Sequence, residues 1–316
     1  TVRRHRSPER AAFTPPAPSG RAPKMPKSAG EVSAGAGDAL PETIGVLGVG
    51  TISSALVRGL CALPVDGHRR PRFVLSPRNA ARAAALCTEF PDSVRVAGGN
   101  QEVVDSADYV VVAVLATQAE QVLSEVKFRP DQGVLSLVAA LSLARLRELA
   151  APATDCASGV PLPAIAKRRG ATLLMPLQPA GQAIFSRLGS CVAVDDEALF
   201  RRMLCLSAMM GDFYKRQVTT QEWLEEHGVP KAQAAKWVGA MFATMAVDSA
   251  EPGPDGLQHL VDEQTPGGLN EVVWKGQHAD GAYRAVRHSL DSVHHRLVTG
   301  RWDSELEPAA KRARGA

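Results

Sequence analysis

At 316 residues, with 45% hydrophobic and 22% charged side chains, the chain has an ordinary globular composition and length enough for two domains. No run approaches the roughly 18 consecutive apolar residues of a membrane helix. A net charge of +3 is too small to argue for nucleic acid, the more so because residues 1–28 hold seven Lys/Arg against one acid.

Residues 1–42 are rich in Pro, Arg, Ala, Gly and Ser and show no apolar periodicity. Such a segment buries too little surface to offset its ordering entropy, so it reads as a disordered tail. Its acid-poor composition fits an organelle-targeting leader but lacks an amphipathic face; the other reading is sequence upstream of a start at Met25.

From Thr43 strand and helix signals alternate. TIGVLGV, RFVLS, VRVA, DYVVVAV and GVLSLVA read as strands, and SSALVRGLCAL, RNAARAAALCTEF, NQEVVDSA and QAEQVLSEV as helices. Continuous Val/Ile/Leu runs mark strands buried on both faces, and their alternation with helices predicts a parallel, doubly wound sheet of Rossmann type. ATLLMPL and GSCVAVDD extend that sheet to about residue 195. Beyond it, apolar residues recur at helical spacing as far as Trp302. The expected organisation is therefore an α/β nucleotide-binding domain over 43–195, an all-α domain over 196–302 and a flexible tail over 303–316.

Two glycines, Gly48 and Gly50, follow the first strand and precede a helix, the context in which a G-x-G signal predicts a dinucleotide pyrophosphate at a helix N-terminus. The third position is Ser53 rather than glycine, still small enough for close helix packing. After the second strand, VLSPRNAAR offers Ser76 and Arg78 where an NAD-binding chain would present a carboxylate. A hydroxyl and a guanidinium suit a 2′-phosphate, which favours NADPH over NADH.

Late in the chain, Thr265-Pro-Gly-Gly precedes an amphipathic segment. Thr265 is expected to cap that helix and Pro266 to open it, leaving the N–H groups of Gly267 and Gly268 free for a carboxylate. The bland alternative is a capped helix that binds nothing.

The I-G-x-x-G-x-G start, the Ser-x-Arg after the second strand, the Asn100–Val104 helix start and the late Pro-Gly-Gly together resemble the pyrroline-5-carboxylate reductase family over about residues 43–300. The resemblance implies hydride transfer from NADPH to the C=N carbon of a cyclic imine, and a helical C-terminal domain that interlocks with a second subunit into a homodimer or larger assembly. It assigns Gly48, Gly50, Thr51 and Ile52 to the pyrophosphate and Ser76 and Arg78 to the 2′-phosphate. Asn100 goes to the adenine-side ribose, and Ala113 and Val114 to the nicotinamide. The substrate loop becomes Thr265, Gly267, Gly268, Leu269 and Asn270, with Thr265 and Asn270 nearest the chemistry and with Met210 and Tyr214 on a neighbouring helix wall.

Departures from the family pattern make the pocket more apolar. Asn270 stands where the family has Thr, Leu115 and Ala116 replace Lys-Pro, VPLP at 160–163 replaces Pro-Asn-Thr-Pro, and Ala208 and Met210 replace serines. The substrate is then pyrroline-5-carboxylate or a different, less polar imine; a non-catalytic NADPH-binding protein is the remaining alternative. Trp223, Trp237, Trp274, Met209 and Met210 sit in helical patterns and read as core or dimer interface more than as pocket. Neither the eight histidines nor the five scattered cysteines show metal-ligand spacing. Cys61, Cys87, Cys156, Cys191 and Cys205 read as reduced thiols of a cytoplasmic protein.

Overall fold

The computed structural model describes residues 39–64, 70–250, 252–254 and 256–302. Most of the expected N-terminal tail and all of the expected C-terminal tail lie outside these residues. The last stretch assigned to the N-terminal tail is already part of the fold: Leu40 packs against the core, and the Glu42 carbonyl accepts from Arg72 N–H at 2.9 Å.

Eight strands form one sheet in the order β3-β2-β1-β4-β5-β6-β7-β8. They are β1 (Thr43–Leu47), β2 (Arg72–Leu75), β3 (Val94–Val96), β4 (Tyr109–Val112), β5 (Gly133–Ser136), β6 (Asp155–Pro161), β7 (Gly170–Met175) and β8 (Gly189–Ala193). Pairing is parallel except between β6 and β7. The strands read from the alternating segment pair in parallel as expected; the antiparallel pair arises because the link from β6 to β7 holds only a 3-10 turn, Pro163–Lys167. A parallel crossover takes a dozen or more residues, so this short link returns as an antiparallel neighbour.

The first helices are α1 (Thr51–Cys61), α2 (Ala80–Glu89), α3 (Asn100–Asp105), α4 (Ala116–Ser124), α5 (Leu143–Ala150) and α6 (Pro179–Leu188). They cover both faces of the sheet. Ile44 and Val46 of β1 and Tyr109 and Val111 of β4 point to one core, shared with Leu56, Leu60, Leu86, Ile184 and Phe185 of α1, α2 and α6. Leu47, Val110 and Val112 point to the other, with Val103, Leu123 and Leu146 of α3, α4 and α5. This is the period of two that an extended chain dictates, expressed on two buried faces. Burial raises the thiols of Cys61 and Cys156 to about 11, which keeps them protonated and inert at neutral pH.

After β8 the chain is helical: α7 (Glu197–Leu204), α8 (Met209–Glu226), α9 (Lys231–Asp248), α10 (Gln258–Asp262), α11 (Leu269–Ala279) and α12 (Ala282–Thr299). Helix α12 returns to α7, where Arg201 donates to the Leu297 carbonyl at 3.0 Å. Helix α8 has no buried residue, and α9 buries only Ala234 and Val238. Trp223 and Trp237, expected in a core or interface, are 56% and 60% exposed in the single chain.

Candidate dinucleotide and substrate sites

The sheet order reverses direction between β1 and β4, and ligands of open α/β sheets bind at the carboxyl ends of the strands beside such a point. A cleft of about 680 Å³ lies there, lined by Gly48 to Ser53, Arg78, Asn79, Ala80, Arg82, Ala113, Val114, Leu115, Gln118 and Leu137. Seven of the nine residues expected at the cofactor meet in it: Gly48, Gly50, Thr51, Ile52, Arg78, Ala113 and Val114.

The glycines shape the loop and do not serve as its anion donors. Gly48 has φ +94°, and a Cβ there would stand 2.7 Å from the Ala113 carbonyl oxygen. Its N–H donates to Ser76 Oγ at 2.9 Å, and the Gly50 N–H donates to Ser53 Oγ at 2.8 Å. Ser53 Oγ in turn donates to the Gly48 carbonyl at 2.8 Å, so the residue in the third glycine position ties the turn together. The donors left facing an anion are those of the first turn of α1, at Thr51 and Ile52, a turn with no acidic residue.

Two residues expected at the cofactor, Ser76 and Asn100, lie outside the lining of the cleft. Ser76 is only 1% exposed and its oxygen is engaged by Gly48, so it props the loop and does not reach a 2′-phosphate in the cleft. Asn100 begins α3, outside the lining of the cleft.

Sequence reasoning missed Arg82. Asn79 caps α2 by accepting from Arg82 N–H at 3.4 Å and donates to the Val49 carbonyl at 3.1 Å, pinning the start of α2 to the glycine loop. That puts Arg82 in the first turn of α2, where its guanidinium donates to Thr51 Oγ1 at 3.2 Å. Arg78 donates to Gln118 Oε1 at 2.6 Å. Neither arginine makes an ion pair among the described residues, so both charges remain for a ligand. The Asn-capped helix in RNAAR carried the signal, since a cap at Asn79 fixes which face Arg82 occupies.

The Thr-Pro-Gly-Gly run folds differently from expectation. Helix α11 starts at Leu269 with Gly268 as its cap, and Thr265 is not the cap. Gly268 N–H donates to the Thr265 carbonyl at 2.9 Å and Gly267 has φ +72°, which makes Thr265–Gly268 a type II turn with Pro and Gly in its two central positions. The second glycine donor is not free either: Gly267 N–H donates to Glu271 Oε2 at 2.6 Å. Asn270 donates to Gln264 Oε1 at 2.6 Å. Hydrogen bonding to Lys275 first, and to Gly267 N–H second, holds the Glu271 carboxyl below its usual range.

Met210 and Tyr214 are exposed on α8, and Leu269 is exposed at the start of α11. The dinucleotide cleft takes no lining residue from beyond Leu137, so within one chain the helical region adds nothing to it. Thr265, Gly267, Gly268, Leu269, Asn270, Met210 and Tyr214 therefore do not join the cofactor cleft in the single subunit.

Residues 43–140 match the family model described as NADP oxidoreductase, coenzyme F420-dependent. No curated protein sequence matches the chain. Among solved structures, a pyrroline-5-carboxylate reductase from Coxiella burnetii superimposes with a TM-score of 0.68 at 20% identity, over 85% of this chain and 99% of that one. The Streptococcus pyogenes enzyme gives 0.66 at 20% identity over 81% and 97%. The Plasmodium falciparum pyrroline carboxylate reductase, solved with NADP bound, gives 0.66 at 15% identity over 81% and 96%. The chain has the fold of the pyrroline-5-carboxylate reductases, a doubly wound sheet followed by a helical region.

Proposed function

We propose that the protein is an NADPH-dependent reductase of a cyclic C=N bond, with 1-pyrroline-5-carboxylate as its substrate and proline as the product. The observation that carries this reading is the cleft at the sheet reversal, where an acid-free helix start and two unpaired arginines converge in a fold shared with the pyrroline-5-carboxylate reductases. Bound NADPH supplies the hydride for the imine carbon. Thr51 and Ile52 N–H groups hold the pyrophosphate, Arg78 and Arg82 the 2′-phosphate, and Ala113, Val114 and Leu137 give the nicotinamide an apolar floor. Orientation and exclusion of water are the protein's part of such a reaction, so the lack of an acid–base triad is no obstacle.

The exposed apolar side chains of α8 and α9, among them Phe213, Val218, Trp237, Met241 and Met245, support assembly with a second copy. In that assembly the start of α11 from one subunit closes the cleft of the other, with Asn270 presented to the imine nitrogen. Met210 and Tyr214 belong to the same helical wall.

A less polar imine is the second reading, favoured by Leu115, which lines the cleft and is 68% exposed. The test is NADPH oxidation by the purified protein with racemic 1-pyrroline-5-carboxylate, beside 1-pyrroline-2-carboxylate and uncarboxylated 1-pyrroline. Preference for the first is the expected result. Preference for uncarboxylated 1-pyrroline would favour the second reading, and bound NADPH without turnover of any of them would overturn the proposal and leave a reductase of bulkier imines or a cofactor-binding sensor.

A further inference from the structure

A second cavity, of about 250 Å³, shares no lining residue with the dinucleotide cleft. It is enclosed by the turn after β5 (Ala139–Ser142) and the start of α5. Ser158 and Met175 from the paired strands β6 and β7, the inner face of α7 and the end of α12 complete it. At about 30 Å³ per liquid water, the space equals roughly eight waters.

Its lining combines apolar walls with one unsatisfied polar group. Met175, Phe200 and Leu204 are buried, and Leu141 and Leu297 are partly buried. Among them stands Ser158, 6% exposed, whose Oγ is the one buried side-chain oxygen or nitrogen among the described residues without a hydrogen-bond partner. A buried hydroxyl left without a partner costs about 1–3 kcal/mol, so Ser158, which has none within the protein, takes its partner from whatever occupies the cavity.

Charge defines the ligand's head group. Two arginines, Arg201 and Arg296, are among the lining residues against one acid, Glu197. Arg201 neutralises Glu197 through a 2.6 Å ion pair and also donates to the Leu297 carbonyl at 3.0 Å. Arg296 makes no ion pair among the described residues; its guanidinium carbon lies 5.8 Å from the centre of the Trp302 ring. The first turn of α5, capped by Ser142, bears no acid, and its positive end faces this space. The end of α12 sets a partial negative charge nearby, where Arg201 donates to the Leu297 carbonyl. The surplus is one positive charge beside an apolar chamber.

We propose that this cavity binds a small monocarboxylate with a short aliphatic chain. The carboxylate pairs with Arg296 and takes the Ser158 hydroxyl as a donor, and the chain lies against Met175, Phe200 and Leu204.

The test is calorimetric and ligand-observed NMR titration of the full chain with butyrate, with n-butylamine and n-butanol as charge controls. Butyrate binds wild-type protein, and n-butylamine does not. Ser158→Ala and Arg296→Gln each weaken it by about tenfold, as loss of a hydrogen bond to a charged group requires. Ser158→Leu, which fills the chamber, abolishes it. Since Ser158→Ala deletes an unpartnered hydroxyl, its thermal midpoint stays at or above wild type, which separates lost binding from lost folding. No butyrate binding, equal binding of n-butylamine, or butyrate affinity unchanged in both Ser158→Ala and Arg296→Gln would each overturn the proposal and leave the cavity a solvent pocket.

Discussion

Glu271 closes onto the backbone of Gly267, its Oε2 accepting the glycine N–H at 2.6 Å while its Oε1 meets Lys275 Nζ at 2.6 Å. The carboxylate that a substrate would bring to this turn is thus matched by one the chain already supplies. Removing that charge should relieve the competition. Glu271→Gln is expected to lower the KM for 1-pyrroline-5-carboxylate severalfold and to leave the KM for uncarboxylated 1-pyrroline unchanged. Equal shifts for the two imines would show that Glu271 does not contend for the carboxylate.

The same pair predicts a pH response. Glu271 has its folded pKa lowered, by Lys275 first and by Gly267 N–H second. A lowered carboxylate pKa stabilises the folded arrangement at pH above the unfolded value of about 4.3 and loses that effect as pH falls through the lower folded value. The start of α11 should therefore hold at neutral pH and open in acid. Protection factors at Leu269 to Val272, taken relative to the intrinsic rate at each pH, are expected to fall on acidification. Lys275→Met should move the onset to higher pH.

Gly48 and Gly50 look equivalent in a G-x-G pattern but are not equivalent in the fold. A Cβ at Gly48 meets the Ala113 carbonyl oxygen at 2.7 Å with φ at +94°, whereas at Gly50 the nearest such atom is 4.0 Å away. Gly48→Ala is expected to cost about 1–3 kcal/mol in denaturant unfolding, through a strained left-handed conformation and displacement of β4's end. Gly50→Ala should cost no more than a few tenths of a kcal/mol, as expected for a loop position without strain. Similar losses in the two variants would refute this division.

Those two glycines also mark how far the sequence could be read. The parallel strands were legible because β1, β4 and β5 are buried on both faces and spelled with Val, Ile and Leu. Strand β6 was not, because it reads Asp-Cys-Ala-Ser-Gly-Val-Pro and owes its conformation to pairing with β5 and β7 rather than to its own propensity. Helices α5 and α6 went unread between strands, although Ser142 caps the first and Pro179 opens the second.

At the site, the glycine loop and Arg78 followed from local pattern. The inward turn of Ser76 did not, since it depends on a hydrogen bond to Gly48, 28 residues earlier. The Thr265–Gly268 turn was misread as a capped helix, although Pro and Gly in its central positions are the sequence signature of a type II turn.

Arg78 and Arg82 approach the cleft from the loop after β2 and from the first turn of α2, each held by a neutral partner, Gln118 and Thr51. A neutral partner fixes the direction of a guanidinium without cancelling its charge, so the two together suit the doubly charged 2′-phosphate that distinguishes NADPH from NADH. Replacing either arginine with Ala should weaken NADPH by about tenfold, corresponding to roughly 1.4 kcal/mol, and leave NADH within twofold of wild type. The double variant should bind the two cofactors almost equally, because both side chains address the same phosphate. Fluorescence titration of reduced cofactor measures all eight affinities. If Arg82→Ala weakens NADH as much as NADPH, then Arg82 acts through Thr51 on the pyrophosphate, and Arg78 alone discriminates.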